Sequence, residues 1–511
     1  MSLQSLVSRF PRIFGGKQHR PGRRASRKLQ LEPLEDRIAL SGLAVNLVNN
    51  TGLADSAVSV VMAGGTQHYD GTNWVPNPGG GVVTSTTFSN FSGEANHRAS
   101  VTIPVGLDGG IIDFFLGTNV NLVSNGRVGS PSPYDRQPVT GNPIPQFQLA
   151  EFTTTDTKFT IDLSNVDQWS VPAMLSLQSK PGTTFGTTLN QDSLFDRFNI
   201  GLTGDFRNLI IKDTGKPMYV ANPRKFLDLT PGAKLNQFFD SDLKTLFETG
   251  TNKLDLTVNG VIWTGVRERD PNRPGAFRLA FTNPADTKIY VYEPGLNGIL
   301  NPSWNEQGES SGKQVFGGDG VFNDAGRQSG GVADVGALND IEQQINAALN
   351  RGVANLDSSQ WLIYANQYQS GDYNQYAKIL HDNFIDNKAY AFGEDEQGFA
   401  AKFELVPLPD TATITLGPSS PPTKKLRGTG PPISNYLGVP PGRGDAVALQ
   451  LLCRIEAHIS LDGPAYQLSG ESGIAYAVLW RFLSGERQLT TGTLDRLFAA
   501  IRRDHGVGDI E

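Results

Sequence analysis

Phe147-Gln148-Leu149-Ala150-Glu151-Phe152-Thr153 and, past a Thr-rich break at 154–157, Lys158-Phe159-Thr160-Ile161-Asp162-Leu163 form the stretch on which the fold turns. Phe, Thr and Ile favour a pleated, half-buried surface, and the intervening Thr/Asp cluster suits a reversal, so the two runs predict an antiparallel hairpin. Glu151 is thereby placed on a strand and not on a loop tip. Side chains alternate across a strand, so Thr153 shares a face with Glu151, while Asp162 points away from the side taken by Ile161 and Leu163. A second carboxylate, Asp167, follows sixteen positions after Glu151 in Ser164-Asn165-Val166-Asp167-Gln168-Trp169.

Upstream of the hairpin the chain is a series of short apolar runs divided by Gly, Asn, Asp and Pro: Leu43–Val48, Ala57–Met62, Ala99–Ile103 and Gly110–Leu116. Few helical periods occur before residue 190, and the pattern is that of an antiparallel sandwich or barrel. Downstream, helical and strand signals mix. Leu338, Ile341, Ile345, Ala348 and Leu349 recur at steps of three and four, which predicts an amphipathic helix capped by Asp334 and ended by Gly352. A second helix is expected around Asn374 to Phe384 and a strand at 401–406. The resulting division is a basic segment 1–42, a β domain 43–190, a mixed α/β lobe 191–390, closing strands 391–417 that return to the β domain, a Pro-rich linker 418–445 and a small helical appendage 446–511.

Composition removes several classes of chemistry. The net charge of −7 conceals a basic N-terminus, since residues 1–37 hold nine Lys/Arg against three Asp/Glu, and the acidic remainder is a poor match for nucleic acid. A single cysteine, Cys453, permits no intrachain disulfide and no thiolate metal site, and the six histidines include no H-E-x-x-H pair. No metal and no cofactor is expected. P-loop and G-x-G-x-x-G motifs are lacking, and no apolar run reaches the length of a membrane-spanning helix.

Glycoside hydrolysis ordinarily needs two carboxyl groups across the scissile bond, and Glu151 with Asp167 supply such a pair. Because 51 acidic residues make many pairs, the spacing alone does not single this one out. Asp162, on the same hairpin, is a rival base. The residues around the pair are more specific. Glu151-Phe152-Thr153 followed by Leu163-Ser164-Asn165-Val166-Asp167 resembles the glucan endo-1,3-β-glucosidases of glycoside hydrolase family sixty-four. So, in family order, do Leu47–Gly52, Val315–Phe322, Ala347–Gly352, Tyr376–Asn383 and Tyr390–Asp395.

The resemblance implies a thaumatin-like β-sandwich or barrel joined to an α/β lobe, with a wide groove between them that admits β-1,3-glucan. It implies an inverting reaction with Glu151 as general acid and Asp167 as general base, yielding short oligosaccharides from laminarin, curdlan or wall glucan. Thr153, Thr155, Tyr390 and Asp395 are the expected sugar contacts, whereas His381 reads as a core histidine. The chain lacks the paired cysteines found in relatives and has Thr154 and Thr160 where those carry aromatic groups, which points to weaker stacking on sugar faces. The alternative reading is a glucan-binding or cell-envelope protein without catalysis. The stretch Arg23–Ser41 resembles the LEPR-type sorting motif of exported bacterial proteins, which implies an extracellular or envelope location; otherwise it is a basic arm.

Overall fold

The computed structural model describes residues 42–417 apart from 92–96, 231–232, 272–274, 276, 294–310, 319–333 and 370. The N-terminal motif, the Pro-rich linker and the helical appendage lie outside the described residues, as does 319–322 of the motif at 315–322.

The first strand, Leu43–Asn49, alternates buried and half-buried positions without a break, which is the signature of a sheet with one covered face. It pairs antiparallel with Arg98–Ile103 and parallel with Thr411–Leu416, some 370 residues later in the chain. Ala173–Leu177 and Thr184–Gly186 complete a five-stranded sheet. A second sheet of eight strands runs in the order Lys402–Pro407, Lys158–Ser164, Phe147–Thr154, Gly110–Phe115, Ser59–Gly64, Gln67–Tyr69 and Trp74–Pro76, with Thr86–Thr87 added beside Ser59–Gly64. Leu47, Val101, Leu175 and Ile414 from the first sheet pack against Met62, Phe114, Phe152 and Ile161 from the second in one buried cluster. Neither sheet closes on itself, so the β part is a sandwich and not a barrel.

The expected hairpin is present, with strands Phe147–Thr154 and Lys158–Ser164 in the register Glu151 to Asp162 and Thr153 to Thr160. Gly110 lies opposite Phe152, where a Cβ would stand 2.2 Å from the ring, so only glycine leaves room for that side chain in the core.

Among the described residues no α-helix precedes Gln191, after which the chain builds a mixed lobe. The strand Lys216–Ala221 pairs with Ile210–Asp213 and with the short strand Gln168–Trp169 that leaves the hairpin, and four antiparallel strands between Leu254 and Tyr292 form a further sheet. The helix expected at 338–349 runs Val335–Asn350: Asp334 accepts a hydrogen bond from the Ala337 N–H at 2.9 Å, and all five stripe residues are buried. Gln375–Asn383 forms the second expected helix, capped by Asn374. These helices share a core with Trp169, Phe198, Phe239 and Phe281, separate from that of the sandwich.

Candidate active site

Period two divides the hairpin strand between two environments. Ala150 and Phe152 enter the sandwich core, while Phe147 and Leu149 join Val61, Ile111 and Phe115 in a cluster on the sheet's outer face. Glu151 and Thr153 continue along that outer face and are half-buried. Sheet register extends the row sideways, because Glu151 is opposite Asp162, Asp162 is opposite Lys402, and Glu151 faces Ile111 on its other side. One row along, Asp113 lies opposite Leu149.

Asp167 arrives from a different direction. It belongs to the crossing from the hairpin to the lobe, where its carbonyl accepts the Asn222 N–H at 2.9 Å and its Oδ2 lies 3.1 Å from the Lys225 ammonium. Asn222 is buried; it caps the helix Pro223–Leu229 and donates its side-chain N–H to the Ala391 carbonyl at 2.8 Å. Asn165 donates its N–H to the Tyr390 carbonyl at 2.7 Å and accepts the Tyr376 hydroxyl at 2.7 Å. The crossing is therefore fastened to lobe helices and to the 390–391 segment, so both parts of the fold fix Asp167.

The electrostatics differ along the row. Burial raises the proton affinity of Glu151 and the negative charges of Asp167 and Glu396 add to that, whereas the Ser164 hydroxyl and Lys402 oppose it. Asp162 is pushed well up, first by burial and then by Glu151, and its Oδ1 has no hydrogen-bond partner among the described residues. The outward facing expected for Asp162 holds, but at 5% exposure it is buried and not the solvated residue that facing allowed.

The sugar contacts expected from sequence fall into different places. Thr153 is on the face of Glu151. Thr155 is in the turn, roughly 13 Å along the chain from Glu151 at strand rise, where its hydroxyl accepts from the Lys158 N–H at 3.0 Å and donates to the Lys158 carbonyl at 3.1 Å. Turn closure, and not the outer face, occupies that hydroxyl. Tyr390 is brought to the row and donates its hydroxyl to Glu396 Oε1 at 2.8 Å.

Asp395 is a correction. It has no exposed surface; its Oδ1 meets Arg351 at 2.9 Å, and its Oδ2 meets His381 Nε2 and the Ala391 N–H at 2.9 Å each. Burial pushes this carboxyl up, but His381, Arg351 and the Ala391 amide outweigh it and hold it below the ordinary value. It anchors a buried hydrogen-bonded triad with Arg351 and His381 and presents no surface to a sugar. Thr154 is a second correction: it is buried on the opposite face from Glu151 and donates to the Pro104 carbonyl at 2.8 Å, so its side chain does not bear on sugar stacking.

Sequence reading missed Asp113, Glu396 and Lys402. Asp113 has no exposed surface; Ser130 Oγ donates to its Oδ1 at 2.7 Å, and its Oδ2 has no hydrogen-bond partner among the described residues. Burial, with help from Glu151 and Asp167, pushes it to about 8. A lone carboxylate inside Gly110-Ile111-Ile112-Asp113-Phe114-Phe115 was the available signal, because an acid in a fully buried run is rare. Lys402 and Glu396 left no local signal. Among the described residues no group of three or more His, Cys, Asp or Glu is arranged to hold a metal, and no helix is long and apolar enough to cross a membrane.

Residues 41–400 match the family model of glycoside hydrolase family 64, described as β-1,3-glucanase. The chain is similar to glucan endo-1,3-β-glucosidases of Cellulosimicrobium cellulans and Arthrobacter sp. (strain YCWD3), each 25% identical over 399 residues covering 75% of this chain. It spans 63% of the length of those two proteins. In fold it is similar to a β-1,3-glucanase domain from Clostridium beijerinckii, at 21% identity and a TM-score of 0.54, covering 74% of this chain and 98% of that one. A laminaripentaose-producing β-1,3-glucanase solved with laminaritetraose gives 21% identity and a TM-score of 0.53, covering 73% and 98%.

Proposed function

The chain belongs to glycoside hydrolase family 64, and from that premise we propose that it cleaves β-1,3-glucan on the outer face of the eight-stranded sheet, with Glu151 and Asp167 as its two reacting carboxyl groups. The observation that carries the reading is the environment of Glu151: a half-buried carboxyl on a rigid strand, whose hold on its proton is strengthened by burial and by the charge of Asp167. An acid that keeps its proton at the working pH is what a leaving glycosidic oxygen requires.

In the reaction Glu151 gives its proton to the glycosidic oxygen as the bond from that oxygen to the anomeric carbon breaks. Asp167 takes a proton from the water whose oxygen forms the new bond to that carbon, from the opposite side. The anomeric configuration inverts, and the carboxyl groups of an inverting pair stand about 6.5–9.5 Å apart to admit that water. Lys225 holds Asp167 from the lobe side while the hairpin holds Glu151, so the substrate lies where the sandwich meets the lobe. Thr153 and Tyr390 border this position and are the sugar contacts in this reading. The wide groove of a thaumatin-like arrangement and the release of short oligosaccharides belong to the same proposal, as does export directed by the N-terminal motif to the cell envelope or medium.

Reducing-end release from laminarin and curdlan by the full chain, beside Glu151→Gln and Asp167→Asn, tests it. Turnover in the parent and its loss in both variants is expected. Retention on insoluble curdlan without any release by the parent would make the chain a binding module.

A further inference from the structure

We propose that Lys402 and Glu396 are positioning residues of this reaction, acting through Glu151 as a pair of opposite charges on its own face of the sheet. The inference rests on the reading of Glu151 as the acid. Its footing is the ladder across three strands: Glu151 opposite Asp162, and Asp162 opposite Lys402. The Lys402 ammonium lies 2.8 Å from Glu396 Oε1, and the Tyr390 hydroxyl donates to that same oxygen at 2.8 Å. The Lys402 side chain is only 13% exposed, so its charge is poorly screened by water, and the exposed Glu404 is a more distant partner at 3.7 Å.

Asp162, between Glu151 and Lys402, is buried with one oxygen that has no hydrogen-bond partner among the described residues. Burial and the neighbouring Glu151 push its carboxyl well up, while Lys402 opposes that shift. The remaining groups facing Glu151 are Asp113 on the adjoining strand, also buried, and Asp167 with Lys225 from the crossing to the lobe.

The chemistry follows from the signs. A positive charge near Glu151 favours its carboxylate and would disarm it as an acid; a negative charge favours the protonated form. Lys402 acts in the first sense and Glu396 in the second. Pairing the two lets the sheet keep a lysine at this position while Glu151 stays protonated, and Tyr390 holds Glu396 in place for that purpose. The working pH of the acid is then a difference between two opposed charges superimposed on its burial.

The test is the pH dependence of kcat/KM on soluble laminarin for the full chain, Glu396→Gln, Lys402→Met and the double variant. The alkaline side of that profile reports the acid of the free enzyme. It is expected to move to lower pH in Glu396→Gln and to higher pH in Lys402→Met, each on the order of half a unit, and to return close to the parent in the double variant. Lys402→Gln serves in the same role if the methionine variant does not fold. A profile unmoved in both single variants, or moved in the same direction by both, overturns the proposal and leaves Lys402 and Glu396 as structural residues. If instead the parent releases no sugar, or Glu151→Gln hydrolyses at the parent's rate, the assignment of Glu151 fails first and the proposal falls with it.

Discussion

Gly110→Ala tests the link between the sandwich core and the acid. Gly110 is paired in register with Phe152, and the added Cβ would stand 2.2, 2.3 and 2.6 Å from three ring atoms. The ring has little space for retreat, because Phe152 is 2% exposed and meets Trp74 edge-on, with centroids 6.5 Å apart and planes at 82°. Restoring ordinary contact requires a shift of about 1 Å or more, and overpacking of this kind costs about 1–3 kcal/mol. Phe152 directly follows Glu151, so the displacement reaches the carboxyl as well, and a misplacement of about 1 Å in a reacting group lowers turnover about a hundredfold. Urea denaturation and reducing-end release, measured on the same preparation, should therefore both fall. Gly110→Ala with Phe152→Leu, which restores room, should recover part of the turnover. A single variant with unchanged midpoint and unchanged turnover would refute the reasoning; lost stability with intact turnover would show that the ring and the carboxyl are not mechanically coupled.

Further outcomes follow from the same geometry. Glu151→Gln should lower turnover by about 10²–10⁴-fold, the usual contribution of a general acid, while retention on curdlan persists; equal loss of both would place the residue in binding. Asp395 has a lowered folded value, so its contribution to stability is present above its ordinary unfolded value near 4 and is lost as pH falls through the folded one. Asp395→Asn should thus cost about 3–5 kcal/mol at pH 7, with the gap to the parent closing below about pH 4; a gap independent of pH in urea titrations would contradict the triad. Asp113 is shifted the other way, to about 8, so the folded parent loses stability as pH rises from its unfolded value near 4 toward 8. Asp113→Asn carries no such penalty and should gain on the parent across that window by on the order of a few kcal/mol, as read from urea midpoints at pH 4 and pH 8. A constant difference would mean that Asp113 is ionised in the folded protein.

What the sequence decided by itself was local. Alternation in Leu43–Asn49 set a strand with one covered face, the Phe/Thr/Ile runs around Glu151 set a hairpin, and the stripe from Leu338 to Leu349 set a capped helix, because these patterns are properties of consecutive residues. Spacing around Glu151 and Asp167 carried the family, since the acid, the turn and the crossing are contiguous in the chain. Alternation also gave the facing of Asp162 but not its surroundings. Whether an outward residue meets water depends on what packs there, and that was decided by Lys402–Pro407, a strand some 240 residues away, pairing beside the hairpin. For the same reason Asp395, beside Tyr390 in sequence, turned out to serve Arg351 and His381, while the unmarked Glu396 and Lys402 came to stand near the acid. Burial and charge partnership are set by chain return over hundreds of residues, and no local pattern of residue types encodes them.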